Sequence, residues 1–167
     1  MTWFIIAGVV MAIMGSVFWL KPSARDARLA DLRFNAIRSG IQVRQFTFKP
    51  DAAKTGVRDD ITATSYTWLK KATSHEDVSG GALQFSVVRQ PAWDQEFLPE
   101  GLSWHHKGDE ALASQHADKL AALLPDLSDE LLMLEVYERR VLMMTAEKQG
   151  ANAEQYLAFL QALLPSD

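Results

Sequence analysis

The chain of 167 residues is 48% hydrophobic and 23% charged, with a net charge of −4 and no cysteine. These figures set a prior of one domain and exclude a polytopic membrane protein, a disordered chain and a disulfide scaffold. The average is uneven: sixteen of the first twenty residues are hydrophobic and none is charged, whereas the other 147 hold 64 hydrophobic residues, an ordinary globular share.

Trp3 to Leu20 is an uncharged run of eighteen residues, the lower end of what crosses a bilayer as a helix. Nine of them are Leu, Ile, Val or Phe, which favours insertion by about 3–5 kcal/mol. Trp3 and Trp19 flank the run as interfacial anchors. A cleaved signal peptide competes with this reading. It wants positive charge ahead of the apolar run, where none stands, and in Pro22-Ser23-Ala24 proline takes the place of a small side chain. Residues 1–20 are therefore expected to be an uncleaved transmembrane anchor. The basic residues Lys21, Arg25, Arg28, Arg33, Arg38 and Arg44 all follow the run. The positive-inside rule then puts the N-terminus outside and the C-terminal domain in the cytoplasm. The lack of cysteine agrees with a reducing compartment. Gly8, Ala12 and Ser16 form a row of small residues along one face, a spacing that lets another helix approach closely.

Next, Ser23 is expected to cap a helix running to about Ser39, with Asp26 near the positive end of its dipole and Gly40 at the C′ position. Leu29, Leu32 and Ala36, with Ala30, Phe34 and Ile37 beside them, give it a broad apolar face. Residues 21–44 hold six basic and two acidic side chains, and residues 45–167 hold eleven and nineteen. Two readings of this basic collar over 21–40 stay open. Either Lys21, Arg25, Arg28, Arg33 and Arg38 contact anionic lipid headgroups, or they only set topology while the helix packs on the domain. Nucleic acid is not expected as a partner, because phosphate would repel the acidic remainder.

Residues 41–48 read as a strand, 51–60 as a polar loop and 61–69 as a second strand; Ser79-Gly80-Gly81 reads as turn chemistry, and 82–89 as a third strand. Short strands with short links suggest an antiparallel meander. Leu102 to His106 reads as a further short strand, with Trp93, Phe97 and Trp104 supplying bulk to the core. Asp109 to Leu124 reads as a helix with Leu112, His116, Leu120 and Leu123/Leu124 along one side. In 131–146 the charges cluster at Glu138-Arg139-Arg140 between two nearly continuous apolar runs. A hairpin turning near 138–140 fits that pattern better than one amphipathic helix, although a helix stays open. Asn152 with Gln155 has the capping-box spacing for a last helix, buried through Tyr156, Leu160 and Leu163/Leu164.

No motif of phosphate, dinucleotide, metal-protease or serine-hydrolase chemistry occurs. His105 and His106 are adjacent on a strand and point to opposite faces, so they do not share a metal ion, and no cofactor is expected. Asp59-Asp60, Glu76-Asp77 and Asp109-Glu110 read as solvated surface.

Two resemblances attach to the N-terminal quarter. Trp19-Leu20-x-Pro22-Ser23-x-Arg25, Leu29-Ala30-x-Leu32-Arg33 and Gly40-Ile41-x-Val43 are similar to uncharacterised single-pass proteins of proteobacteria, which implies a bacterial inner membrane. Leu20-Lys21-Pro22, Arg25, Arg28 and Gly40-Ile41-Gln42-Val43 resemble, more weakly, the small accessory subunit of the bacterial preprotein translocase. That family has an acidic residue where this chain has Ile41.

The expected architecture is α+β: a transmembrane helix, a basic amphipathic helix, and over 41–167 a small cytoplasmic antiparallel-sheet domain with two helices. The expected function is a non-enzymatic accessory or protein-interaction subunit of a bacterial inner-membrane complex. Its partners would be membrane lipid and, through the transmembrane helix, another membrane protein or a second copy. The alternatives are an enzyme with a site assembled from scattered residues and a lipid-sensing module.

Overall fold

A computed structural model describes residues 2–19, 23–70 and 80–164, with the side chains of 16–19, 54, 126 and 128 excepted. The chain divides into two compact units, 1–31 and 32–167.

The first unit opens with α1, Thr2–Trp19. Eighteen residues at 1.5 Å each rise about 27 Å, short of a hydrocarbon core of about 30 Å. Among the described residues no helix is long and apolar enough to cross a membrane. The expected span includes Leu20, which lies outside the described residues.

Helix α2, Ala24–Arg38, contains the boundary between the units. Ser23 caps it as expected: its Oγ accepts from the Asp26 N–H at 3.1 Å and donates to the Asp26 carboxylate at 2.7 Å. Gly40 ends it at φ +88°, where a β-carbon is disfavoured. The Gly40 N–H then reaches the Ile37 carbonyl and the Ile41 N–H reaches the Ala36 carbonyl, a Schellman closure. The apolar face is narrower than expected. Leu32 and Ala36 are buried, but Phe34 and Ile37 are exposed. At 100° per residue Phe34 lies about 160° around the helix from Leu32, too far to meet the same neighbour.

The second unit is α+β, built on a six-stranded, wholly antiparallel sheet. Its strands are β1 Gln42–Phe48, β2 Ile61–Leu69, β3 Leu83–Val88, β4 Ser103–His106, β5 Leu131–Tyr137 and β6 Arg140–Thr145. The spatial order is β1-β2-β6-β5-β3-β4. The expected meander is corrected: the β5–β6 hairpin enters between β2 and β3. The cause is burial. Leu131, Leu134, Val136, Val141 and Met143 join the larger core, while Met133 and Met144 join a smaller cluster with Phe48, Val57, Ile61 and Val88. A hairpin apolar on both faces is most stable at the sheet's centre, where both faces are covered. The hairpin itself is as expected and turns at Glu138-Arg139 between β5 and β6.

Other expectations shift locally. The loop over 51–60 contains a short helix, α3, Ala52–Thr55, capped by Asp51. Its end is not polar surface, since Thr55 and Val57 are buried. Helix α4, Glu110–Leu123, buries Ala113, Ala117 and Leu120, whereas Leu112 is exposed. The small alanines, not the leucine one residue earlier, set its phase by allowing close packing on the sheet. Trp104 is buried, as expected, and donates from Nε1 to the Glu96 carbonyl at 2.9 Å. Trp93 and Phe97 are exposed and do not fill the core. Helix α5, Ala153–Leu163, buries Tyr156, Leu160 and Leu163 as expected, and Ala153 and Phe159 as well. Asn152 caps it by accepting the Glu154 N–H at 2.8 Å.

Candidate functional site

The residues singled out for helix contact lie on α1. Gly8 and Ala12 are exposed, and a β-carbon added at Gly8 meets nothing within 4 Å. The Ser16 and Trp19 side chains lie outside the described residues. Trp3 is 82% exposed, and Phe4, Met11, Ile13 and Met14 are exposed with it. Among the described side chains of α1, large apolar ones are exposed around most of the helix and none is buried.

The basic residues on and beside α2 divide. Lys21 lies outside the described residues. Arg25 is exposed, and Arg38 is exposed with its guanidinium 5.9 Å from the centre of the Phe34 ring. Arg28 is half-buried. Arg33 departs from the lipid-facing reading. Its Nε donates to Glu147 Oε1 at 2.8 Å, and Nη2 donates to Glu147 Oε2 at 2.6 Å and to Thr64 Oγ1 at 3.0 Å. A bidentate pair of this kind fixes the planar guanidinium in place. Its physical role is to bind α2 to the sheet domain.

Around that pair runs a buried polar chain. The Tyr66 hydroxyl donates to Glu147 Oε1 at 2.7 Å. The rings of Tyr66 and Tyr156 meet edge to face at 4.8 Å. The Tyr156 hydroxyl donates to the Glu130 carboxylate and lies 3.3 Å from Thr145 Oγ1. Burial alone would push the Glu147 carboxyl up, but bonds from Arg33, Tyr66 and Thr64 outweigh it and hold it below the usual range. Burial, reinforced by the adjoining carboxylates, pushes both phenols far up, so they keep their protons and donate to the carboxylates beside them. Glu147 also sits at φ +47°, a left-handed conformation that is strained for a residue with a side chain. The ion pair holds it there.

Glu130 and Tyr156 line an open pocket of about 360 Å³, together with Leu127, Lys148, Gln149 and Gln155. The walls come from the 3-10 turn Ser128–Glu130, the turn after Glu147, and the first turn of α5. Sequence reasoning missed this site. Arg33 and Glu147 are 114 positions apart, and no local pattern joins them. The one available signal was Glu130, immediately before an apolar strand, and Tyr156 within the apolar face of α5.

The histidines behave as ordinary structural side chains. His105 is half-buried, edge-on to Phe48 at 4.8 Å, with Nδ1 3.3 Å from Ser86 Oγ, while His106 is exposed on the other face. His116 stacks on Phe85 at 4.5 Å. Burial, aided by a neighbouring positive charge, lowers the proton affinity of both His105 and His116. Among the described residues no group of three or more His, Cys, Asp or Glu is placed to hold a metal ion. Asp59, Asp60, Asp109 and Glu110 are exposed; Glu76, Asp77 and His75 lie outside the described residues.

Comparison with protein-family models, with curated proteins and with solved structures finds no match.

Proposed function

We propose that the protein is a membrane-anchored, non-enzymatic accessory subunit of a bacterial inner-membrane complex, with its sheet domain on the cytoplasmic side. The apolar run 3–20 is the anchor, and it spans the bilayer by matching a locally thin core. The single observation that carries the reading is the surface of α1. Its large apolar side chains face outward around most of the helix, an arrangement that water penalises and lipid does not. The basic residues Lys21, Arg25, Arg28 and Arg38, beyond the end of the run, supply the cytoplasmic-side charge and meet anionic headgroups. Gly8, Ala12 and Ser16 form the surface for a second helix, from another membrane protein or a second copy of this chain.

The test is crosslinking in intact membranes. Replacing both Gly8 and Ala12 by Leu is expected to remove crosslinks formed from α1 while leaving the amount of membrane-bound protein unchanged. Unaltered crosslinks would end the claim that this row is a helix contact.

A further inference from the structure

We propose that the pocket beside Glu130 binds a small molecule through a primary ammonium group seated on the Glu130 carboxylate. The side chain is fixed before any ligand arrives. Glu130 is only 7% exposed. Its backbone carbonyl accepts the Ala146 N–H at 2.9 Å, and its N–H reaches the Leu127 carbonyl at 3.3 Å. One carboxylate oxygen, Oε2, accepts the Tyr156 hydroxyl. Among the described residues no donor reaches Oε1, and no basic side chain pairs with this carboxylate. One oxygen of this carboxylate is therefore left without a protein donor among the described residues where Glu130 lines the pocket, and a cation entering there supplies the missing partner.

The surrounding chemistry selects the kind of cation. Gln149, Gln155 and Tyr156 line the same pocket as Glu130. A carboxylate with carboxamide side chains lining the same pocket offers acceptors to the three N–H donors of an ammonium. A calcium or magnesium ion would want about six oxygen ligands, commonly with more than one carboxylate, and among the described side chains lining the pocket Glu130 alone is acidic. A volume of about 360 Å³ holds a small molecule and sits at the low end of ligand pockets.

Titration calorimetry on the full chain in detergent tests this with β-alanine, ethylenediamine and propionate. β-Alanine is expected to bind, and propionate, which lacks the ammonium, is not. Ethylenediamine, which carries an ammonium and no carboxylate, is expected to bind as well. Glu130→Gln is expected to weaken amine binding at least about tenfold. Gln155→Trp, at an exposed position, is expected to fill the mouth and abolish binding without altering the thermal midpoint. That variant decides the matter if Glu130→Gln fails to fold. Tyr156→Phe keeps the carboxylate and is expected to keep binding. Propionate binding as tightly as β-alanine, amine binding that survives Glu130→Gln or Gln155→Trp, or no amine binding at millimolar concentration would each overturn the proposal.

Discussion

Helix α1 and the β5–β6 hairpin are the two most apolar stretches of the chain, yet their side chains face opposite surroundings. The hairpin buries Leu131, Met133, Leu134, Val136, Val141, Met143 and Met144 completely, divided between the two faces of the sheet. In α1 the same residue types are exposed, Phe4 to 85%. Composition therefore does not distinguish a buried core from an exposed apolar surface; geometry does. A strand presents two faces that two layers can cover, whereas a helix apolar all round needs a surrounding solvent of its own kind.

The sharpest way to test that contrast is to make the same cut in both places. Leu134→Ala is expected to destabilise the sheet domain by about 2–5 kcal/mol, because it empties a filled core site. Ile13→Ala in α1 is expected to leave the domain's urea midpoint where it was. Equal shifts would mean that α1 belongs to the domain's core. Gly108→Ala comes next, at about 2–4 kcal/mol. At φ +70° the new β-carbon would lie 1.8 Å from the Gln84 carbonyl oxygen, so β3 or β4 must move. A wild-type melting temperature for that variant would contradict the close approach.

Arg33→Ala should cost about 1–2 kcal/mol, discounted because the Arg33 side chain is 40% exposed. It also carries a pH signature. The folded state holds the Glu147 carboxyl below its ordinary value of 4.5, so the stability it contributes is present above that pH and is lost as the pH falls through the lowered folded value. Denaturation midpoints followed from pH 7 to 3 should therefore fall less steeply at the acid end in Arg33→Ala than in the wild type. Parallel curves would show that the pair does not set the acid limit. The smallest effect is Asn152→Ala, about 1 kcal/mol from loss of the α5 cap, read as a lower thermal midpoint with an unchanged fold.

The parts that were legible in the sequence were those fixed by near neighbours. Ser23, Asp26 and Gly40 mark the ends of α2 because capping involves residues a few positions apart. The hairpin at 131–146 was legible because charges confined to its turn do not fit helical periodicity. The sheet order was not, since the entry of β5–β6 between β2 and β3 depends on burial of both faces, which no single strand reveals. Trp93 and Phe97 were misplaced for a related reason: bulk alone does not say on which side of a loop a ring falls. The Arg33–Glu147–Tyr66 cluster lay beyond reach altogether, and Arg33 looked like one more surface cation until the fold set a carboxylate beside it.

The central claim is that α1 is an anchor whose apolar surface belongs in lipid. Alkaline carbonate extraction of membranes holding the full chain tests it most directly, with Ile6→Lys/Val10→Lys as the comparison. The account predicts that the wild-type chain stays in the membrane pellet and the double variant is released to the supernatant. Release of the wild-type chain would contradict it.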